Sequence, residues 1–181
     1  MKLFAFFALF AVISIPGQAH AQTQRAGTFT VSPMFGGFNW DEDEHVGNGP
    51  EYGIGLGYNF TDHFGTEFMF NFADPGTDGG FQDRDINLFL YHLDAVYHFK
   101  KLWIFDPYVV VGGGIGEISL WKGPGKPHQY DSITMFNYGG GIEYFISDKL
   151  AIRGDLRHVL TFDPTLSNFM YTAGVTYYIG K

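Results

Sequence analysis

Residues 52–60 read Tyr52-Gly53-Ile54-Gly55-Leu56-Gly57-Tyr58-Asn59-Phe60 and alternate without a break between large apolar residues and small ones. Because successive side chains of a β-strand point to opposite faces, the five large residues share one face. The three glycines and the asparagine share the other. The stretch therefore predicts a strand with one face of large apolar side chains and one face that is almost entirely glycine.

The same period of two recurs along the chain. It is clear at 64–72, 132–146, 150–160 and 169–179, and weaker at 28–39 and 86–99. Residues 107–120 have glycines at both odd and even positions. They predict a strand, but the sequence does not show which of its faces is apolar. With 52–60, these segments predict eight strands and an all-β fold.

The connections between the predicted strands alternate in length. The connections at 61–63 and 147–149 are tight and 100–106 is short, whereas 40–51, 73–85 and 121–131 are long and 161–167 is intermediate. In an antiparallel meander, odd connections lie at one end and even ones at the other. Long loops at one end and tight turns at the other are typical of transmembrane β-barrels.

The first 21 residues predict a cleaved signal peptide. Lys2 precedes an apolar run, and Ala19-His20-Ala21 has the small-x-small pattern of a cleavage site. Cleavage after Ala21 would leave a single domain over 22–181. Since no second long apolar run follows, the exported chain is predicted to be either a soluble secreted protein or a barrel that crosses a membrane with strands.

Composition narrows the classes further. The 181 residues include 20 Phe, 11 Tyr, 25 Gly and no Cys, with a formal net charge of −8. The lack of cysteine excludes disulfides and thiolate metal sites, and the acidic balance argues against nucleic-acid binding. A soluble ligand-binding barrel would turn its apolar face inward. Here the small, charged face suits the crowded lumen of eight strands, so the apolar face is predicted to meet lipid.

The small face carries charges that we expect to pair across the lumen, because lone buried charges are costly. These lumen charges are Glu67, Asp94, Glu143, Arg153, Asp155 and Arg157. Aromatic residues near strand ends, among them Trp103, Tyr108 and Tyr177, are assigned to interfacial girdles. The acidic run Asp41, Glu42, Asp43 and Glu44 matches no calcium loop and is interpreted as a solvated outer loop.

Residues 138–158, together with Pro107–Gly114 and Ala173–Tyr178, resemble the eight-stranded outer-membrane β-barrel family, the OmpA-like transmembrane domain. The resemblance implies an up-and-down barrel of a Gram-negative outer membrane with both termini in the periplasm. The periplasmic peptidoglycan-binding domain of longer members is not found before Lys181. Thr172, Gly174, Tyr177 and Ile179 resemble the C-terminal signal read by the barrel-assembly machinery, although Gly180-Lys181 follow where a terminal aromatic is usual.

This resemblance implies a non-enzymatic protein that acts in envelope integrity or in surface interaction through its outer loops. Its expected partners are outer-membrane lipids, lipopolysaccharide and the assembly machinery, with the loop partner unidentified and no nucleic acid. A narrow porin-like channel, a lipid-modifying enzyme and a soluble ligand-binding barrel remain alternatives.

No catalytic, cofactor or metal site is predicted. A hydrolase would need serine, histidine and a carboxylate that converge, as in a triad. The candidates are His92, His98, His158, Ser32, Ser119, Ser132, Ser147 and Ser167. The chain has no His-x-Ser pair, which lipid A deacylase barrels of this size contain.

Overall fold

The computed structural model describes residues 25–39, 49–74, 85–121, 129–162 and 166–180. Its strands are β1 Phe29–Asn39, β2 Gly49–Asn59, β3 Phe64–Ala73, β4 Asp85–His98, β5 Phe105–Trp121, β6 Gln129–Phe145, β7 Leu150–Phe162 and β8 Leu166–Ile179. Within these ranges, no helix is long and apolar enough to cross a membrane. The predicted signal peptide and the acidic run 41–44 lie outside the described residues.

The strands pair in chain order as a closed antiparallel barrel, β1 through β8. Closure is made by β8 against β1, from Phe29 opposite Ile179 to Asn39 opposite Phe169. Closure matters in a bilayer because lipid offers no hydrogen-bond partner to an unpaired strand edge. The predicted eight-stranded up-and-down barrel is confirmed, and each predicted strand overlaps the observed one.

The large apolar residues of the alternating pattern point out of the barrel. Tyr52, Ile54 and Leu56 are exposed on β2, and the same holds for the outer faces of the other strands. On β5, whose faces the sequence left open, Val109, Val111 and Ile115 point outward while Val110 points inward. Tyr108, which was predicted to belong to the aromatic girdle, is only 2% exposed and lies inside the barrel, so that assignment is wrong.

Glycines on the inner face leave the space that large polar side chains occupy. A Cβ atom at Gly55 would meet the carboxylate of Glu67 and the sulfur of Met69. A Cβ atom at Gly139 would meet the backbone and side chain of Arg157 on the neighbouring strand. The glycines of the inner face therefore leave enough room in an eight-stranded lumen for arginine and glutamate side chains.

Strands β5 and β6 are longer than a membrane crossing requires. Each has 17 residues, whereas a tilted strand crosses a bilayer in about 9–11. Residues 129–133 of β6 pair with β5 beyond Thr134, which faces the last residue of β7. Residues 85–87 of β4 likewise continue along β5 beyond the pairing with β3. We call the three-stranded piece formed by 85–87, 116–121 and 129–133 the outer extension; it lies at the long-loop end.

A test of the lumen geometry compares Gly114, on the inner face of β5, with Gly154, on the outer face of β7. A Cβ atom at Gly114 would collide with the backbone of Tyr91 and His92, whereas at Gly154 the nearest such atom is the Thr172 carbonyl oxygen at 4.0 Å. We expect Gly114→Ala to lower the free energy of unfolding by about 1–3 kcal/mol through overpacking, with Gly154→Ala near neutral. Urea titration of the refolded protein in detergent micelles measures both. Equal stability of the two variants would contradict this account.

Candidate functional site in the barrel lumen

The lumen is built in layers along the barrel axis. From the tight-turn end, the mouth layer contains Arg25, Asp106, Glu143 and Tyr178, and the central layer contains Arg153, Glu67, Asp155 and Tyr108. The upper layer follows with Arg157, Asp94, His92, Asn137, Asn71 and Glu51. Every one of these side chains is buried.

Arg25 closes the mouth layer although it precedes the first strand. Its guanidinium donates hydrogen bonds to the carboxylate of Asp106 and, at 3.4 Å, to Glu143. The Tyr178 hydroxyl donates to the same Glu143 oxygen at 2.6 Å. The guanidinium also lies 5.3 Å from the ring centroid of Phe145, within cation–π range. Glu143, predicted to pair with a strand arginine, therefore pairs with Arg25, a residue that carries no periodic signal.

The backbone around Arg25 is held by the β2–β3 turn. The Arg25 and Ala26 amides donate to Oδ1 of Asp62 at 2.8 and 3.1 Å, and the Gly27 amide donates to the Asn59 carbonyl at 2.7 Å. The hydrogen bonds from the Ala26 and Arg25 amides hold the pKa of Asp62 below its usual value. The chain before β1 is thereby folded beneath the barrel, with the Arg25 side chain inserted into it.

The central layer is organised around one arginine. Arg153 makes a two-pronged ion pair with Glu67, with N···O distances of 2.6 and 2.8 Å. Its Nε donates to Asp155 and to the Tyr108 hydroxyl, each at 2.7 Å. This planar, two-pronged arrangement is the strongest that arginine makes with a carboxylate, and it joins β3 to β7 across the lumen.

The upper layer continues from the central one through Glu67. Arg157 lies 3.6 Å from Glu67 and donates a hydrogen bond to Asp94. Asp94 also forms a 2.8 Å hydrogen bond with His92 and accepts one at 3.0 Å from Asn137. All six predicted lumen charges therefore lie inside the barrel and make ion pairs. The upper-layer residues Glu51, Asn71, His92 and Asn137 were not in the predicted set.

An apolar layer covers the polar ones toward the long-loop end. It consists of Phe38, Ala73, Leu88, Leu90, Met135, Val159 and Met170. A small cavity of about 20 Å³ lies between the mouth and central layers, which is room for about one water molecule. Buried hydrocarbon fills most of this end of the lumen, where Thr161 and Asn168 are also buried opposite Met135 and Val159, so this interior favours a filled scaffold over a conduit.

One serine and one histidine meet on the outer surface. His158 forms hydrogen bonds of 2.7 Å with the Ser167 hydroxyl and 2.8 Å with the Tyr138 hydroxyl. A neutral tyrosine occupies the place where a triad has a carboxylate, and it would stabilise an imidazolium far less. On a lipid-facing wall, this chain of hydrogen bonds satisfies polar groups that have no water partner.

Two of the other candidate residues for catalysis are engaged elsewhere. His92 is bonded to Asp94 and Asn71, and Ser32 to Thr176. Among the described residues, no group of three histidine or acidic side chains could hold a metal ion. Of the predicted assembly-signal residues, Thr172 faces the lumen and Tyr177 and Ile179 face outward.

A closed eight-stranded barrel with an apolar exterior and a charged, filled interior defines a transmembrane β-barrel. The chain belongs to the outer membrane protein beta-barrel domain family, whose model matches residues 5–178. It is therefore a protein of the bacterial outer membrane, and the soluble secreted alternative is excluded. A comparison with functionally curated proteins finds no match.

Several solved structures share the fold. Neisserial surface protein A (NspA) has a TM-score of 0.70 at 14% identity, over 83% of this chain and 98% of that one. OprG of Pseudomonas aeruginosa has a TM-score of 0.65 at 14% identity, over 90% and 100% of the two chains. Ail, the attachment invasion locus protein of Yersinia pestis, has a TM-score of 0.56 at 17% identity, over 84% and 99%.

The central ion pair gives a prediction for stability. Arg153→Met leaves Glu67 and Asp155 buried without their main partner, so we expect a loss of about 3–5 kcal/mol in the free energy of unfolding. The double variant Glu67→Gln with Arg153→Met removes one of those orphaned charges and is expected to recover part of the loss. Denaturant titration in micelles measures the free energies of unfolding of the wild type, the two single variants and the double variant. Additive effects of the two substitutions would show that the pair is not coupled.

The Asp62 contacts give a prediction for pH. Because the folded-state pKa of Asp62 is lowered, its carboxylate stabilises the segment 25–28 at pH values above its unfolded pKa, and this stabilisation is lost as the pH falls through the folded value. We expect the Arg25 and Ala26 amides to exchange more slowly in the wild type than in Asp62→Asn at neutral pH. The two rates should converge in acid. Equal exchange rates at every pH would contradict the role of Asp62.

Proposed function

We propose that this protein is a surface-interaction protein of the outer membrane, in which a rigid barrel presents the outer extension and the outer loops to an extracellular partner. The observation that carries the proposal is the length of β5 and β6, which continue beyond the membrane-crossing part as paired strands. Paired strands hold their shape in water and offer backbone groups along their edges to an extended partner.

The charge of the outer extension indicates the kind of partner. Glu117 and Asp131 are exposed on β5 and β6, on opposite faces of the paired strands, and the chain as a whole has a formal net charge of −8. The Ail protein has a structure in complex with the heparin analogue sucrose octasulfate. Acidic side chains would repel such a polyanion, so we propose a polar or basic protein surface as the partner of this chain.

The layered lumen favours this role over a channel. A porin-like conduit needs a continuous wet path, whereas here buried hydrocarbon follows the ion pairs. A lipid-modifying enzyme is disfavoured because the Ser167–His158 contact ends on a tyrosine. Absence of enzymatic activity is therefore part of the proposal.

Contacts with lipopolysaccharide and with the assembly machinery remain proposals of the same kind. The alternation of Thr172 toward the lumen and of Tyr177 and Ile179 toward lipid supports a role for β8 as an assembly signal. The broad apolar exterior supports packing against lipid acyl chains.

A trimmed barrel tests the proposed interaction surface. Ile118 and Asp131 are opposite each other, so an Asn-Gly turn replacing 119–130 would close the hairpin and keep Ile118 paired with Leu88 of β4. We expect cells that produce the full-length chain to be retained several-fold more on immobilised extracellular-matrix proteins than cells with the trimmed chain. Heparin beads should retain neither. Equal retention of the two strains on matrix proteins, or retention on heparin, would contradict the proposal.

Two controls make the result interpretable. Both chains must show the faster gel mobility of a folded barrel before boiling. Because the native chain has no cysteine, Ser132→Cys and Ser147→Cys report the two ends of the barrel, and only the first should react with an impermeant maleimide on intact cells. If trimming left retention unchanged while deletion of the whole protein sensitised cells to detergents, envelope integrity would replace surface interaction.

A further inference from the structure

The three polar layers of the lumen share one composition but differ in the origin of their arginine. Each contains one arginine and two buried carboxylates: Arg25 with Asp106 and Glu143, Arg153 with Glu67 and Asp155, and Arg157 with Asp94 and Glu51. Arg153 and Arg157 belong to β7 and are part of the wall. Arg25 belongs to residues 25–28, which precede β1 and which we call the arm. It can therefore leave the lumen without breaking the pairing of any two strands.

The wall alone forms the pocket that holds the Arg25 guanidinium. Asp106 and Glu143 are directly opposite each other on β5 and β6, and both side chains are almost fully buried. Carboxylates in such positions repel each other, and when they are buried they need a cation. The Tyr178 hydroxyl accepts a hydrogen bond at 3.3 Å from Nε of Arg25, and the guanidinium lies over the ring of Phe145. All four partners belong to β5, β6 and β8, so the pocket does not depend on the arm.

The pocket has one more acceptor than Arg25 uses. The Arg25 guanidinium bonds to Oδ2 of Asp106, whereas Oδ1 is buried and has no hydrogen-bond partner in the described part of the chain. Nδ1 of His98 lies 4.0 Å from this oxygen and is likewise unpartnered there. A planar guanidinium that is free to turn can bond to both oxygens of Asp106, as Arg153 does with Glu67. The pocket thus offers an untethered guanidinium a contact that the tethered one leaves unused.

The backbone of the arm is attached outside the lumen. The amides of Arg25 and Ala26 donate to Asp62 in the β2–β3 turn. A tethered cation competes with free ones through its high effective concentration, and it loses this advantage when the arm detaches. Detachment would leave Asp106 and Glu143 buried without their cation, and a second guanidinium would then compensate their charge.

We infer that the mouth layer is a binding site for alkylguanidinium cations, which Arg25 occupies as a tethered ligand and which accepts a free one when the arm leaves. The ligand class is the group at the end of an arginine side chain. A primary ammonium ion has the same charge but lacks the planar fork that matches a carboxylate, so it binds more weakly. Since the tight turns of such barrels face the periplasm, the site opens toward that compartment. It lies at the opposite end from the outer extension and is independent of the proposed function.

Emptying the mouth layer tests the site. Arg25→Ala removes the tethered ligand, and Lys101→Gln removes a second cation, whose Nζ lies 4.7 Å from the Phe145 ring centroid. The double variant in micelles is titrated with ethylguanidinium or ethylammonium chloride at constant ionic strength, and its amide chemical shifts are followed by NMR. We expect saturable shifts confined to the mouth layer, with a dissociation constant of about 1–10 mM for so small a ligand. Ethylammonium should bind about ten-fold more weakly.

Two matched proteins serve as controls. Lys101→Gln alone keeps Arg25 in the site, so its shifts at the same ethylguanidinium concentration should be several-fold smaller. Adding Glu143→Gln to the double variant removes one of the two carboxylates and should weaken the binding of ethylguanidinium several-fold. Each protein must first show the faster gel mobility of a folded barrel before boiling.

Three results would overturn the inference: no saturable shifts in the double variant, equal affinity for ethylammonium, or an equal response in Lys101→Gln alone. If the double variant does not refold by itself, refolding is repeated with ethylguanidinium, and the fast-migrating band should then return. Failure of ethylguanidinium to restore that band would also overturn it. Retention of cells on matrix proteins depends on the other end of the barrel and is unaffected by either result.

Discussion

The constraint on which this structure depends is that a bilayer cannot hydrogen-bond to the backbone. It forces the sheet to close, and closure with eight strands leaves a lumen just wide enough for side chains. The inner face must then combine glycines with long side chains that extend across the lumen. Gly55 beside Glu67 and Gly139 beside Arg157 are examples of this pairing of small and large residues. The two-pronged Arg153–Glu67 ion pair follows from it, since charges placed in such a lumen need partners.

The division of the lumen into polar and apolar layers assigns different tasks to different depths. The ion pairs and the inserted Arg25 tie β3, β5, β6 and β7 together near the tight-turn end. The apolar layer fills the other half by ordinary close packing. A barrel filled in this way is a scaffold, so any specific recognition must be carried by its two ends and by its outer wall.

The alternation of side chains made the strands and their lipid-facing sides predictable, because a period of two is a local property of the sequence. Depth in the barrel is not local, and several of the missed features depend on it. Their even positions place Leu88 and Leu90 on the face of β4 that points away from lipid. Only the pairing of the strands shows that they pack with Phe38 and Met170. Arg25 lies outside any periodic segment, and Tyr108 lies in a glycine-rich strand whose parity was open. Ion-pair choice depends likewise on the stagger of strands that are distant in sequence.

The two ends of the barrel have opposite chemistry, and this asymmetry is the strongest argument that they meet different surroundings. The outer extension exposes carboxylates on paired strands that continue past the membrane, a rigid and hydrated surface suited to a protein. The β4–β5 turn exposes tryptophan and leucine next to lysine, a surface suited to a lipid headgroup layer. The apolar outer wall between the two ends sets the depth of the barrel, because mismatch with the bilayer costs a fraction of a kcal/mol per Å. Because the paired strands of the outer extension continue directly from this wall, the depth of the barrel also sets the height of the extension.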